Sequence, residues 1–70
     1  MSGEKFDLLI DVSTIHSEKV RCALKEFLVE GYSTKEVCDR NGVSRGYFSS
    51  ALGRLYRIDN IVAKLNRFYS

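Results

Sequence analysis

The stretch that decides the fold is residues 33–55, STKEVCDRNGVSRGYFSSALGRL. Ser33 and Glu36 have the spacing of a capping box, in which the serine hydroxyl accepts a backbone N–H at a helix start and the glutamate reaches back to the serine N–H. Asn41 and Gly42 are residue types that tolerate the left-handed conformation common at helix C-termini. The stretch therefore predicts a short helix that begins after Ser33 and ends near Gly42.

A second helix is predicted to follow almost at once. Ser44 is its N-cap candidate, so only Gly42 and Val43 lie between the first helix and the cap of the second. A connection this short makes the two axes cross steeply, as in a helix-turn-helix. A plain αα-hairpin in a small bundle is the alternative. The residues that define the predicted motif are Ser33, Glu36, Val37, Cys38, Gly42, Val43, Phe48 and Leu52.

The apolar positions of the motif agree with this interpretation. Val37, Cys38, Val43, Phe48, Ala51 and Leu52 fall where the two helices must touch each other or the core. We predict that Cys38 lies at the closest approach, where a larger side chain would push the helices apart. We also predict that Cys22 is a small core residue, and we expect no disulfide between the two cysteines in a reducing compartment.

Length and composition predict one folded domain. The chain has 70 residues, of which 44% are hydrophobic and 29% charged, so we assign residues 1–70 to a single domain with a marginal core. It contains no long apolar run and no signal-peptide pattern, which favours a cytoplasmic location. A single histidine, two distant cysteines and no catalytic motif predict a non-enzyme without metal or cofactor.

Charge is distributed unevenly along the chain. Residues 1–43 contain six Lys/Arg and eight Asp/Glu, a balance of −2, whereas residues 44–70 contain five Lys/Arg and one Asp, a balance of +4. The basic half begins where the second helix of the motif begins. This asymmetry indicates a polyanionic partner, with a merely solvated helix face as the alternative.

The remaining segments predict an all-α bundle of four to five helices. Residues 2–12 fit a helical turn or a strand, and we favour a short helix. Residues 18–30 show the apolar stripe of one buried helical face, ended by Gly31. Asp59 is a good N-cap candidate, so we predict a break near Ile58 and a final helix over residues 60–68. The surplus of apolar and aromatic residues in this last segment predicts an oligomer contact.

If the second helix of the motif enters a DNA groove, its N-terminal residues lie near base edges. Arg45 is then the candidate base reader, and Gly46 lets the backbone approach closely. Ser49 and Ser50 are short donors, and Tyr47 either contacts a phosphate or is buried beside Phe48. The full set of DNA-binding candidates is Thr34, Lys35, Ser44, Arg45, Gly46, Tyr47, Ser49, Ser50, Arg54 and Arg57.

Four short motifs resemble the PapB-like adhesin biosynthesis transcription regulators of enteric bacteria. They are IHSEKV at residues 15–20, KEVC at 35–38, GYFS at 46–49 and LGRL at 52–55, and the resemblance covers residues 8–69. It implies a small helical regulator that binds AT-rich DNA upstream of a fimbrial operon as an oligomer. The family's DNA-binding segment falls on Thr34, Lys35, Cys38, Arg45, Gly46, Tyr47, Ser49 and Arg54.

Two other functions fit the same residues. One is a helical protein-interaction module whose basic half meets an acidic protein. The other is a nucleoid-type protein that coats double-stranded DNA without operator preference. Neither needs a small-molecule substrate or a membrane.

Overall fold

The computed structural model describes residues 1–69, with side chains for residues 1–67, and these form four α-helices. In chain order the helices are α1 (Gly3–Ser13), α2 (Glu18–Leu28), α3 (Thr34–Asn41) and α4 (Arg45–Tyr69). The predicted all-α fold is confirmed. The N-terminal segment, which fitted either helix or strand, is helical.

Serine residues cap the helix starts, because each hydroxyl accepts a backbone N–H that has no partner within its helix. Ser2, Ser17 and Ser33 do so for α1, α2 and α3. Ser44 accepts the N–H of Tyr47 at 3.2 Å at the start of α4. One detail of the predicted capping box differs, since Glu36 Oε1 accepts the Ser33 hydroxyl at 3.1 Å in place of the Ser33 backbone N–H.

Helices α1 and α4 pack antiparallel. Lys5 Nζ lies 3.1 Å from a carboxylate oxygen of Asp59 at one end, and Thr14 lines the same surface depression as Ala51 at the other. The apolar stripe of α1 is thereby buried against the core. Among the side chains of residues 1–67, the buried apolar ones are Phe6, Leu9, Ile10, Ile15, Val20, Ala23, Leu24, Val37, Cys38, Phe48, Ala51 and Leu55.

Phe48 lies at the centre of this core and is fully buried. Its ring meets that of Phe27 edge to face, with centroids 5.6 Å apart and an interplanar angle of 84°. This is a favoured aromatic geometry. The contact joins α2 to α4, and the partly buried Val43 and Leu52 pack around the same core.

The predicted break near Ile58 is wrong, because α4 runs without interruption for 25 residues. Asp59 does not cap a new helix, and its carboxylate instead pairs with Lys5. Ile58 packs on the core in helical register with Leu55. The aromatic residues Phe68 and Tyr69 belong to the last segment, which is predicted to form an oligomer contact, but their side chains lie outside the described ones. Among the described residues, no helix is both long enough and apolar enough to cross a membrane.

The prediction that both cysteines are core residues holds only for Cys38, which is 4% exposed. Cys22 is exposed, and both thiols are free. The reason is helical phase, since Cys22 lies about 200° around α2 from the buried Val20. Helix α2 also ends earlier than predicted, at Leu28, although Gly31 does adopt a positive φ of 86° just beyond it.

Replacement of Cys38 by leucine should destabilise the protein. The thiol lies in the packed core, so the two extra carbon atoms of leucine have little free space, and overpacking of this kind costs about 1–3 kcal/mol. We expect urea unfolding followed by circular dichroism to show this loss for Cys38→Leu. The matched control Cys22→Leu, at an exposed position, should stay within about 0.5 kcal/mol of the parent. Equal stability of the two variants would contradict the assigned packing.

Candidate nucleic-acid interface

Helices α3 and α4 are joined by a turn of three residues, Gly42 to Ser44. The carbonyl oxygen of Cys38 accepts the N–H of Gly42, which ends α3 with φ 65°, and also the N–H of Val43 at 3.1 Å. Ser44 then caps α4. The predicted turn is confirmed residue by residue, and its short length is that of a helix-turn-helix.

A polar cluster fixes α3 against α2. The Asn41 side-chain amide donates to Glu26 Oε1 at 2.9 Å and to the Val37 carbonyl at 2.8 Å. Arg40 lies 3.0 Å from the other carboxylate oxygen of Glu26 and stacks over the Tyr32 ring at 4.7 Å. The Arg40 contact is a charge pair without hydrogen-bond geometry, since that oxygen of Glu26 accepts no hydrogen bond.

Arg40 therefore interacts with Glu26 and Tyr32 within this cluster. The interaction with Tyr32, and to a smaller extent the negative charge of Glu26, raises the pKa of the Arg40 guanidinium. Its charge is locally balanced, although it lies only a few residues before the turn. Other exposed cations, among them Arg54 and Arg57 on α4, form no ion pair among the described side chains.

The N-terminal half of α4 has the two faces that were predicted. Phe48, Ala51 and Leu55 are buried and Leu52 is half-buried, whereas the opposite face is exposed. Tyr47 is 59% exposed, which decides between its two predicted environments in favour of the surface. The other exposed candidates in residues 44–57 are Ser44, Arg45, Gly46, Ser49, Ser50, Arg54 and Arg57.

Several of these candidates are brought together. Tyr47, Ser50 and Arg54 line one surface depression, and Ser50, Arg54 and Arg57 line the next along the helix. Among the described side chains, neither Arg54 nor Arg57 forms an ion pair, unlike Lys5 and Arg40. This side of α4 thus presents two uncompensated guanidinium groups beside a tyrosine and a serine.

The other candidates lie apart from this group. Arg45 and Ser49 are four residues apart and share a different stripe of α4. Thr34 is half-buried and Lys35 exposed in the first turn of α3. The predicted site is therefore spread over two stripes of α4 and the start of α3.

Two glycines leave the backbone of α4 accessible on its exposed face. A Cβ atom built on Gly46 or on Gly53 would meet nothing within 4 Å. The packing of the chain therefore does not require glycine at either position, where alanine would favour the helix by about 1 kcal/mol. The two residues are seven apart and lie on nearly the same side of α4.

Sequence reasoning missed two residues beside this surface. His16 lines the depression that contains Tyr47 and Arg54, and Lys19 lines another that contains Tyr47 and Ser44. Both precede the motif by many residues. Their position beside Tyr47 depends on how α1 and α2 pack on α4, and the sequence signal that includes both residues is the IHSEKV motif at residues 15–20.

Comparison with known proteins identifies similar chains. The family model described as adhesin biosynthesis transcription regulatory protein matches residues 1–69. PapB, the major pilus subunit operon regulatory protein of Escherichia coli, is 47% identical over 70 residues, which are 100% of this chain and 67% of PapB. The F1845 adhesin operon regulatory protein of Escherichia coli is 49% identical over 73 residues, covering 99% of this chain and 86% of the relative.

A solved structure is also similar. The crystal structure of Escherichia coli FocB superposes with a TM-score of 0.94 at 48% identity, covering 100% of this chain and 80% of FocB. The resemblance noted in the four short motifs therefore extends over the whole described fold. The chain belongs to the adhesin biosynthesis transcription regulatory protein family.

Proposed function

We propose that this protein is a non-catalytic transcriptional regulator that binds AT-rich DNA upstream of a fimbrial adhesin operon, cooperatively and as an oligomer, in the bacterial cytoplasm. The observation that supports DNA binding best is the exposed side of α4 described above. It combines Arg54 and Arg57, which pair with no acid in the part of the chain whose side chains are described, with an open backbone at Gly46. Membership of a transcription regulator family supports the same conclusion.

The N-terminal half of α4 is the proposed recognition element. In a helix-turn-helix the second helix enters the groove, and its first residues contact base edges. Arg45 is the proposed base-reading residue, since a guanidinium bonds two acceptors of guanine or occupies a narrow, electronegative groove. Ser49 lies one turn further along the same stripe and adds a short donor. With glycine at position 46, no side chain holds the backbone away from the DNA.

The proposed phosphate contacts surround this element. Arg54 and Arg57 extend from α4 beyond the base-reading turn, and Lys35 extends from the start of α3. Thr34 adds a hydroxyl at the same helix start. Together with Ser44, Tyr47 and Ser50, these groups position residues 1–70, as a single helix-turn-helix domain, on the duplex.

Exposed apolar residues support an oligomer. The C-terminal half of α4 continues the core-facing stripe past the region that α1 covers, and leaves Ile61 52%, Val62 37% and Leu65 50% exposed. On α1, Leu8 is 68% and Val12 63% exposed. Both follow Lys5, whose ammonium group pairs with Asp59 of α4, at helical spacing along α1. We propose that a second copy of the chain covers this apolar surface.

The proposed function predicts salt-sensitive and selective DNA binding. In fluorescence anisotropy titrations at two salt concentrations, we expect tighter and cooperative binding to an AT-rich promoter duplex than to a GC-rich duplex of equal length. Equal affinity for both duplexes would contradict the regulator and indicate a protein that coats DNA. Failure to bind either duplex would contradict DNA binding altogether and favour the protein-interaction module.

Arg54→Ala should weaken binding to all duplexes by a similar factor, because a phosphate contact carries no base information. Counterion release predicts that the slope of log affinity against log salt falls in magnitude by about 0.9. The control is Lys64→Ala, which removes the same charge about 15 Å further along α4. An unchanged slope for Arg54→Ala, or the same change in both variants, would contradict this assignment.

The double variant Ile61→Gln, Leu65→Gln should lose cooperativity while it retains affinity for a short duplex that holds one copy. Both positions are half exposed, so the fold of the single chain should keep its stability within about 0.5 kcal/mol per substitution. The measurement is the Hill coefficient on a long AT-rich duplex. Asn66→Gln, a polar exchange on the same helix turn, is the control. Undiminished cooperativity of the double variant would contradict an oligomer contact here.

A further inference from the structure

Tyr47 stands between two depressions of the surface. One is formed with the loop that joins α1 to α2 and contains His16 and Arg54. The other is formed with the first turn of α2 and the Gly42–Ser44 turn, and contains Lys19. The exposed tyrosine is thus flanked on both sides by groups from a part of the chain that precedes the helix-turn-helix.

The loop that carries His16 is firmly anchored. Ile15 is 5% exposed, and its carbonyl oxygen accepts a hydrogen bond of 2.6 Å from Nε of Arg21. The buried Ser13 hydroxyl donates to the Ile10 carbonyl at 2.8 Å, and Thr14 ends α1 in the left-handed conformation with φ 57°. Each of these contacts restricts the loop, so His16 and Lys19 are held beside Tyr47 by the fold itself.

The loop and the first turn of α2 place the hydrogen-bond donors His16 and Lys19 beside the donors that α4 already presents. Lys19 is exposed and forms no ion pair among the described side chains. Its acidic neighbour Glu18 lines neither depression. His16 is exposed next to Arg54 and Ser50. A polyanion laid along the exposed side of α4 would therefore meet donor groups from the loop and from α2 as well.

We propose that the loop between α1 and α2 and the first turn of α2 form a second wall of the DNA interface, in which Lys19 and His16 contact backbone phosphates on either side of Tyr47. This inference rests on the proposed DNA binding. It assigns Arg21 a positioning role, because its guanidinium holds the loop backbone. In this arrangement Tyr47 lies between His16 and Lys19, and its side chain contacts the sugar–phosphate backbone between the two phosphates that they bind.

The test measures duplex binding by fluorescence anisotropy over a range of salt concentrations, with the full chain. Lys19→Ala should reduce the magnitude of the salt slope by about 0.9, which at about 150 mM salt is a loss of roughly fivefold in affinity. Lys25→Ala is the matched control, since it removes the same charge from the same helix. Lys25 lines a separate groove with Phe6 and Ile10, and that variant should keep the parent slope.

The His16 contact is tested by a second pair of variants. His16→Ala should lower affinity by roughly two- to tenfold, the range expected for one lost hydrogen bond. His16→Gln keeps a side-chain N–H donor and should recover most of that loss. Thermal melting of each variant by circular dichroism confirms that it is folded, and Lys19→Arg should bind like the parent.

Three outcomes overturn the inference. If Lys19→Ala and Lys25→Ala change the slope equally, the effect is one of overall charge and the second wall is refuted. If Lys19→Ala keeps the parent slope while Arg54→Ala reduces it, DNA binding by α4 stands and the second wall alone fails. If the parent chain binds no duplex, the proposed function and this inference fail together.

Discussion

The carbonyl oxygen of Cys38 accepts hydrogen bonds from the backbone N–H groups of both Gly42 and Val43, and the rest of the structure depends on the turn that they form. The two hydrogen bonds end α3 and require a left-handed residue, which glycine supplies at least steric cost. Ser44 can then cap α4 immediately. The direction of α4 is set within three residues, so Phe48 enters the core one turn later while Tyr47, beside it, faces solvent.

Because α4 is one helix, its two ends are mechanically connected. Its N-terminal half carries the proposed DNA contacts, and its C-terminal half carries the uncovered apolar residues Ile61, Val62 and Leu65. A helix of 25 residues is about 37 Å long, so the orientation of its N-terminal half determines that of its C-terminal half. A break near Ile58 would have separated the two surfaces by a hinge. The Lys5–Asp59 pair lies at the midpoint and ties α1 to the continuous helix.

Sequence reasoning succeeded where structure is decided by neighbours along the chain. The caps Ser33 and Ser44, the left-handed Gly42 and the buried Phe48 all follow from local hydrogen bonding and helical spacing. The family resemblance was also present in short local motifs. These features locate the exposed face of α4, and with it most of the candidate interface.

The errors have a common physical origin, since each depends on a partner distant in sequence. Asp59 has the side chain of an N-cap, but Lys5 on another helix takes its carboxylate. Cys22 is of a residue type common in cores, but it lies in an open groove between α2 and α1 and stays exposed. His16 and Lys19 reach Tyr47 only because α1 runs antiparallel to α4 and returns the chain there.

The net charge of +2 underestimates the positive charge along α4, because the charges are unevenly distributed. Asp59, the one acidic residue among residues 44–70, is paired with Lys5 of α1, so it offsets little of the charge of the arginines on α4. Arg54 and Arg57 have no such partner among the described side chains and lie on one side of one helix. Close to α4, a phosphate therefore encounters at least two unbalanced cations. At about 0.15 M salt, where screening acts over about 8 Å, that local arrangement outweighs the charge of distant helices.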